Sequence, residues 1–137
     1  MTSLKYFVFP LVLICFFMLF SAQGQKNVFV ATVDNDGIQK VKILAGNYFF
    51  NPDYIIVKVN IPVELTISKE PGITPHVFVI KESEAGIDIN ESLSTDAKII
   101  KFTPNKVGKY PFYCPKKLLF FKSHRDQGME GIIEVVE

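Results

Sequence analysis

The last quarter of the chain carries Cys114, His124 and Met129 in one run. Nine residues separate the cysteine from the histidine, and four separate the histidine from the methionine. His76 lies far upstream, and the 137-residue chain has no third histidine. A thiolate, two neutral imidazoles and a thioether form a soft donor set suited to copper, and a trigonal Cys-His-His arrangement with a weak axial Met serves electron transfer. Each residue type also has a plainer use. A buried cysteine acts as a small hydrophobe and a methionine fills core gaps. His76 follows Pro75 at the start of an apolar run, as a turn histidine does, and His124 lies among Lys122, Ser123, Arg125 and Asp126, as a solvated residue does. Metal ligation has one advantage over these separate uses. Beyond the first 24 residues, these four side chains are the entire Cys, His and Met content.

The first 24 residues stand apart from the rest. Lys5 precedes Tyr6–Phe20, an uncharged apolar run of 15 residues, and Ala22-Gln23-Gly24 then forms a small-x-small site before Gln25. This is the pattern of a secretory signal peptide, and 15 residues are short for a membrane span. An uncleaved N-terminal membrane anchor is the rival reading. Cys15 lies inside the run behind Ile14, where a lipidation signal would have a small residue. The expectation is a signal peptide over 1–24 and one domain over 25–137, exported to a bacterial periplasm or the extracellular space. Lys5 is the only charge in the leader, so the remainder has equal numbers of basic and acidic residues. A balanced charge speaks against a nucleic-acid partner. With a single cysteine, that domain cannot form an internal disulfide.

The rest of the chain reads as short strands between turns. Candidates are Val28–Val33, Ile38–Leu44, Asn47–Phe50, Tyr54–Val59, Val63–Ser68, Val77–Ile80, Ala97–Phe102, Lys109–Cys114 and Gly131–Val136. Glu82–Thr95 reads as a polar, irregular connection and Pro115–Asp126 as an irregular or helical piece. No apolar repeat of helical period is sustained over three turns. About eight short strands at this spacing predict an all-β, Greek-key sandwich or barrel. Such a sandwich can bring the four donors together by placing one histidine at an upstream strand end and the other donors on the loop joining the last two strands.

Several stretches resemble the cupredoxins, the small blue-copper fold of plastocyanin, azurin and rusticyanin. They are Tyr48-Phe49-Phe50-Asn51-Pro52 followed by YIIVKVNIPVELTIS, then TPHVFVI, FTPNKVGKYPFYC and HRDQGMEGIIEV. The resemblance implies one type 1-like copper ion, with His76, Cys114 and His124 as equatorial ligands and Met129 as the axial one. It implies an exported carrier of single electrons that is not an enzyme, or alternatively a copper chaperone, store or resistance protein of the same fold. A metal-free interaction module is a third possibility. The sequence departs from the family in three places. Nine residues stand between Cys114 and His124 where the family usually has two to four, so Pro115–Ser123 must fold back on itself. Val77 follows the first histidine where Asn or Ser is common, so the hydrogen bonds that tie the ligand loops must come from elsewhere. Asn60-Ile61-Pro62 replaces a glycine turn. The insert sets Leu118, Leu119, Phe120 and Phe121 among Lys116, Lys117, Lys122 and Arg125. If exposed, this surface suits docking of an acidic redox partner protein. Otherwise these apolar side chains bury the loop.

Overall fold

Alternation of apolar and polar residues generates the strands, and their pairing brings the candidate ligands to one end. The computed structural model describes residues 26–137, so the segment read as a signal peptide lies outside the described residues. Ten strands follow in order: β1 (Val28–Val30), β2 (Gln39–Gly46), β3 (Phe49–Asn51), β4 (Tyr54–Lys58), β5 (Val63–Lys69), β6 (Val77–Glu82), β7 (Ile87–Ser92), β8 (Lys98–Phe102), β9 (Gly108–Tyr113) and β10 (Glu130–Val136). Two short 3₁₀ turns, Ser83–Ala85 and Arg125–Gln127, are the only helical pieces among the described residues. The strands form a sandwich of two sheets, ordered β1-β4-β10-β9-β6-β7 and β3-β2-β5-β8.

The period-2 pattern decides which side chains enter the core. On β5, Val63, Leu65 and Ile67 point inward, the face that the sequence assigns. Val41, Ile43 and Ala45 of β2, Ile55 and Val57 of β4, and Ile133 and Val135 of β10 complete the layer between the sheets. At one end of that layer the rings of Phe50, Phe78 and Phe112 meet edge-on or tilted, with centroids 5.1–5.5 Å apart. Aromatic pairs prefer such geometries over face-to-face stacking. These rings stand two residues from Tyr48, His76 and Cys114 respectively, so the aromatic cluster forms the floor beneath the candidate ligands. Gln39 is fully buried at the other end of β2. Its amide bonds the carbonyls of Lys58 and Ile61 and accepts from the Lys58 N–H, which satisfies each polar group there.

The main departure from the sequence reading lies in Glu82–Thr95. It contains β7, paired antiparallel with β6 from Val77↔Ser92 to Glu82↔Ile87. Only Ile87 and Ile89 mark its buried face, and the polar residues between them mask the alternation. The acidic side chains remain solvated, with Glu84 and Asp88 exposed and Glu82 and Glu91 half-buried.

Gly131 opens the inward face of β10 next to the candidate ligand loop, with its Cα partner Phe112 on β9. A Cβ here would lie far inside van der Waals contact with both the Asp53 carbonyl oxygen and the Phe112 ring. One clashing neighbour is backbone, so relief requires a strand to shift. Overpacking of this kind costs roughly 1–3 kcal/mol, and Gly131→Ala is expected to lower the urea midpoint accordingly. An unchanged midpoint would mean that β4 and β10 separate freely.

Candidate metal centre

Four chain segments converge at one end of the sandwich. His76 immediately precedes β6, and Cys114 immediately follows β9. His124 opens the 3₁₀ turn Arg125–Gln127, and Met129 lies between that turn and β10. The fourth segment is the β2–β3 turn, with Asn47 and Tyr48. Backbone hydrogen bonds lock these pieces together. Cys114 donates to the Met129 carbonyl at 3.1 Å, Arg125 to the Cys114 carbonyl at 3.0 Å, and Met129 to the His124 carbonyl at 3.0 Å. The Val77 N–H donates to Cys114 Sγ at 3.3 Å. The clamp between the ligand loops therefore comes from the backbone of Val77, and the missing Asn or Ser side chain is not needed for it.

The donor atoms lie close together. His76 Nδ1 and His124 Nδ1 are 3.2 Å apart, and Cys114 Sγ lies 3.4 Å from His124 Nδ1. One donor atom from each of these three residues falls within 4.8 Å of the other two. All three side chains are buried, as is Met129. Met129 enters the same region through its backbone bonds and is part of the core cluster. Two neighbours that the sequence reading missed shape the site. Asn47 Oδ1 lies 2.8 Å from His76 Nε2, and Asn47 Nδ2 donates to Thr74 Oγ1 at 3.2 Å. With Asn47 Oδ1 as the acceptor, Nε2 carries the proton and Nδ1 turns its lone pair toward His124 Nδ1. The Tyr48 ring packs on His124 with centroids 4.8 Å apart. Asn47 follows β2 and is 29 residues from His76, so no local pattern links the two. Burial pushes the His76 pKa down to about 4, and the nearby charges of His124 and Lys69 act in the same direction. Burial also lowers His124, with a smaller contribution from Lys116. Both imidazoles are therefore neutral near pH 7 and able to donate a lone pair.

A family profile for the cupredoxin-like domain matches residues 10–128. The chain belongs to the cupredoxin-like family. Among solved structures, this cupredoxin is similar to the metal-binding domain of the Cu(I)-exporting P-type ATPase CopA of Streptococcus pneumoniae, determined with Cu(I). The two are 27% identical with a TM-score of 0.62, over 83% of this chain and 100% of that one. Reduced auracyanin from Roseiflexus castenholzii is 18% identical with a TM-score of 0.59, over 78% of this chain and 99% of that one. At that identity the likeness concerns the fold alone. No curated protein sequence matches significantly.

The insert of this cupredoxin folds back as the spacing requires. The His124 N–H donates to the Lys116 carbonyl at 2.8 Å, closing a neck beside the ligands. The extra residues therefore project outward, and His124 still reaches Cys114. None of the four large apolar side chains of the loop buries it, because Leu118, Leu119, Phe120 and Phe121 are all exposed. Beside the neck, a cleft of about 330 Å³ lined by Tyr48, Ile73, Pro75, Lys116, Leu118 and His124 reaches the centre.

Free histidine titrates near 6.5, whereas folded His76 titrates near 4. Between these values the unfolded chain binds more protons than the folded one, so stability falls as pH falls. The melting temperature of the metal-free protein is expected to be insensitive to these groups above about pH 6.5 and to drop progressively toward pH 4. His76→Gln is expected to flatten part of that slope, and an identical slope would show that other groups dominate. For Asn47, loss of an outer hydrogen bond to a metal-binding histidine typically weakens metal affinity about 10–100-fold. A competition titration of Asn47→Ala is expected to show a loss in that range. Unchanged affinity would mean that packing alone orients His76.

Proposed function

We propose that this protein is an exported mononuclear copper protein that carries single electrons by Cu(II)/Cu(I) cycling. His76, Cys114 and His124 would hold the ion, with Met129 as the weak axial donor. One observation carries this reading: three buried soft donors, two of them nitrogens 3.2 Å apart, are held in place by the fold's own hydrogen bonds. The donors fit copper. The group contains no carboxylate, as a magnesium or calcium site would, and one thiolate with two imidazoles suits a soft or borderline ion. Bound there, copper supplies one-electron redox chemistry.

The protein's own contribution is rigidity and dryness. Asn47 fixes the face that His76 presents, the Val77 amide stabilises the sulfur, and the aromatic floor excludes water from below. Donors held in this way move little between oxidation states, so little reorganisation accompanies electron transfer. A redox partner protein would approach through the cleft beside His124. The contact between the Cys114 thiol and His124 Nδ1 is buried and is assigned here to metal ligation, and we assign no enzymatic activity.

A second reading is copper handling, as a chaperone, store or resistance protein. It is favoured by the 27% identity to a Cu(I)-binding domain of an exporting ATPase.

The visible spectrum of residues 25–137 loaded with Cu(II) separates these readings. A carrier is expected to show an intense thiolate-to-copper band, reversible reduction, and loss of the band in Cys114→Ser. A colourless protein that binds Cu(I) and releases it to a competing chelator would support copper handling and end the carrier reading. Preference for zinc, which shares this donor set but has no redox chemistry, would end both.

A further inference from the structure

We propose that the Leu118–Phe121 turn is an insertion tip that seats this end of the protein on an anionic phospholipid surface. The turn is closed by the Phe121 N–H donating to the Leu118 carbonyl at 2.9 Å. Its two corner residues, Leu119 and Phe120, are 75% and 98% exposed. Turn corners normally carry Gly, Asn, Asp or Ser, which suit the backbone and the water around it. Here Leu119 sits at φ 46°, the left-handed region that glycine or asparagine enters more readily. The local preference is overridden to keep an apolar side chain at the apex. Leu118 and Phe121 are each 64% exposed, and Ile73, across the cleft from Leu118, is fully exposed. Leu118–Phe121 make an apolar knob of four consecutive exposed side chains, and Ile73 adds an exposed apolar side chain on the other side of the cleft, unlike the singly scattered apolar residues normal on a soluble surface.

Basic residues outnumber acidic ones around the turn. Lys116, Lys117 and Lys122 stand at its base, all exposed, and none has an ion-pair partner among the described residues. Arg125 pairs with Glu130 at 2.8 Å. The nearest acid in sequence, Asp126, is turned back onto the Ser123 hydroxyl and amide. Lysines at the base of an apolar projection can extend their ammonium groups to lipid phosphates while the apolar side chains enter the acyl boundary. The shape favours lipid over protein. A protein partner would need a hollow matching Phe120, whereas a bilayer interface accepts a convex apolar tip of any outline. Because the neck of the loop is hydrogen-bonded beside Cys114 and His124, insertion would hold the cleft near the headgroups.

The test is co-sedimentation of metal-free residues 25–137, which hold all ten strands and the whole core cluster. The probes are vesicles of phosphatidylcholine alone and of phosphatidylcholine with phosphatidylglycerol. The inference does not require copper, so this outcome is independent of the electron-carrier reading. Wild type is expected to bind the anionic vesicles, more weakly as salt rises. Leu119→Ser with Phe120→Ser is expected to lose at least about tenfold in affinity. Replacing Lys116, Lys117 and Lys122 by Gln removes about 1 kcal/mol of surface attraction each, or roughly a hundredfold together. Both variants alter exposed side chains, and unchanged far-UV dichroism would verify folding. The proposal is overturned if wild type stays in the supernatant, or if the tip variant binds as wild type does. It is also overturned if the tip variant loses binding to an acidic redox protein in lipid-free solution while its vesicle binding is unaltered.

Discussion

The centre depends on one adjacency, that of β6 and β9. These strands are 26 residues apart at their nearest ends and join through a single ladder pair, Val79↔Tyr113. That contact brings the start of β6 next to the end of β9, which puts the Val77 amide on the Cys114 sulfur. His76 comes with Val77 and Cys114 comes with Tyr113. The Phe78 and Phe112 rings pack on each other one layer below and oppose separation of the two strands. Two donors are thus joined by the sheet itself, and the C-terminal loop adds the third.

Holding two imidazoles and a thiol in a dry pocket has a thermodynamic cost that the surrounding bonds must offset. An unpaired buried polar group is expensive. Here no buried side-chain nitrogen or oxygen among the described residues lacks a partner. The remaining cost is electrostatic and falls on protonation, so the histidines stay neutral instead of charging. The same burial that makes the metal-free site sensitive to acid keeps its nitrogens available to a metal near neutral pH. Pre-placement of the donors and their low proton affinity share one physical origin.

Much of this was legible in the chain. The strands with strong apolar alternation, such as Val63–Ser68, fall where the pattern puts them, within a residue or two. Strand β7 escaped because only two isoleucines mark its buried face and acidic residues occupy the other. The three candidate donors His76, Cys114 and His124, which the fold brings together, stood out by residue type, since each type is rare in this chain. Asn47 was not visible, because asparagine is common in turns and its partner is 29 residues away. The exposure of Leu118–Phe121 was equally hidden, since an apolar run reads alike whether it fills a core or projects from it.

Residue chemistry by itself determined the kind of centre this chain could build. A lone thiol, two imidazoles and one thioether restrict the choice to soft or borderline metals wherever they meet. It also determined the all-β class, through period-2 patterning. Whether the donors meet was decided by tertiary structure, because pairing between distant strands brings together atoms that no local rule relates. The long Cys114–His124 spacing shows the division most clearly. Counted along the chain it threatens the geometry, but the Lys116–His124 hydrogen bond at the neck turns the extra length outward. A loop's effect on a site is set by the distance between its ends in space, and sequence length alone does not report that distance.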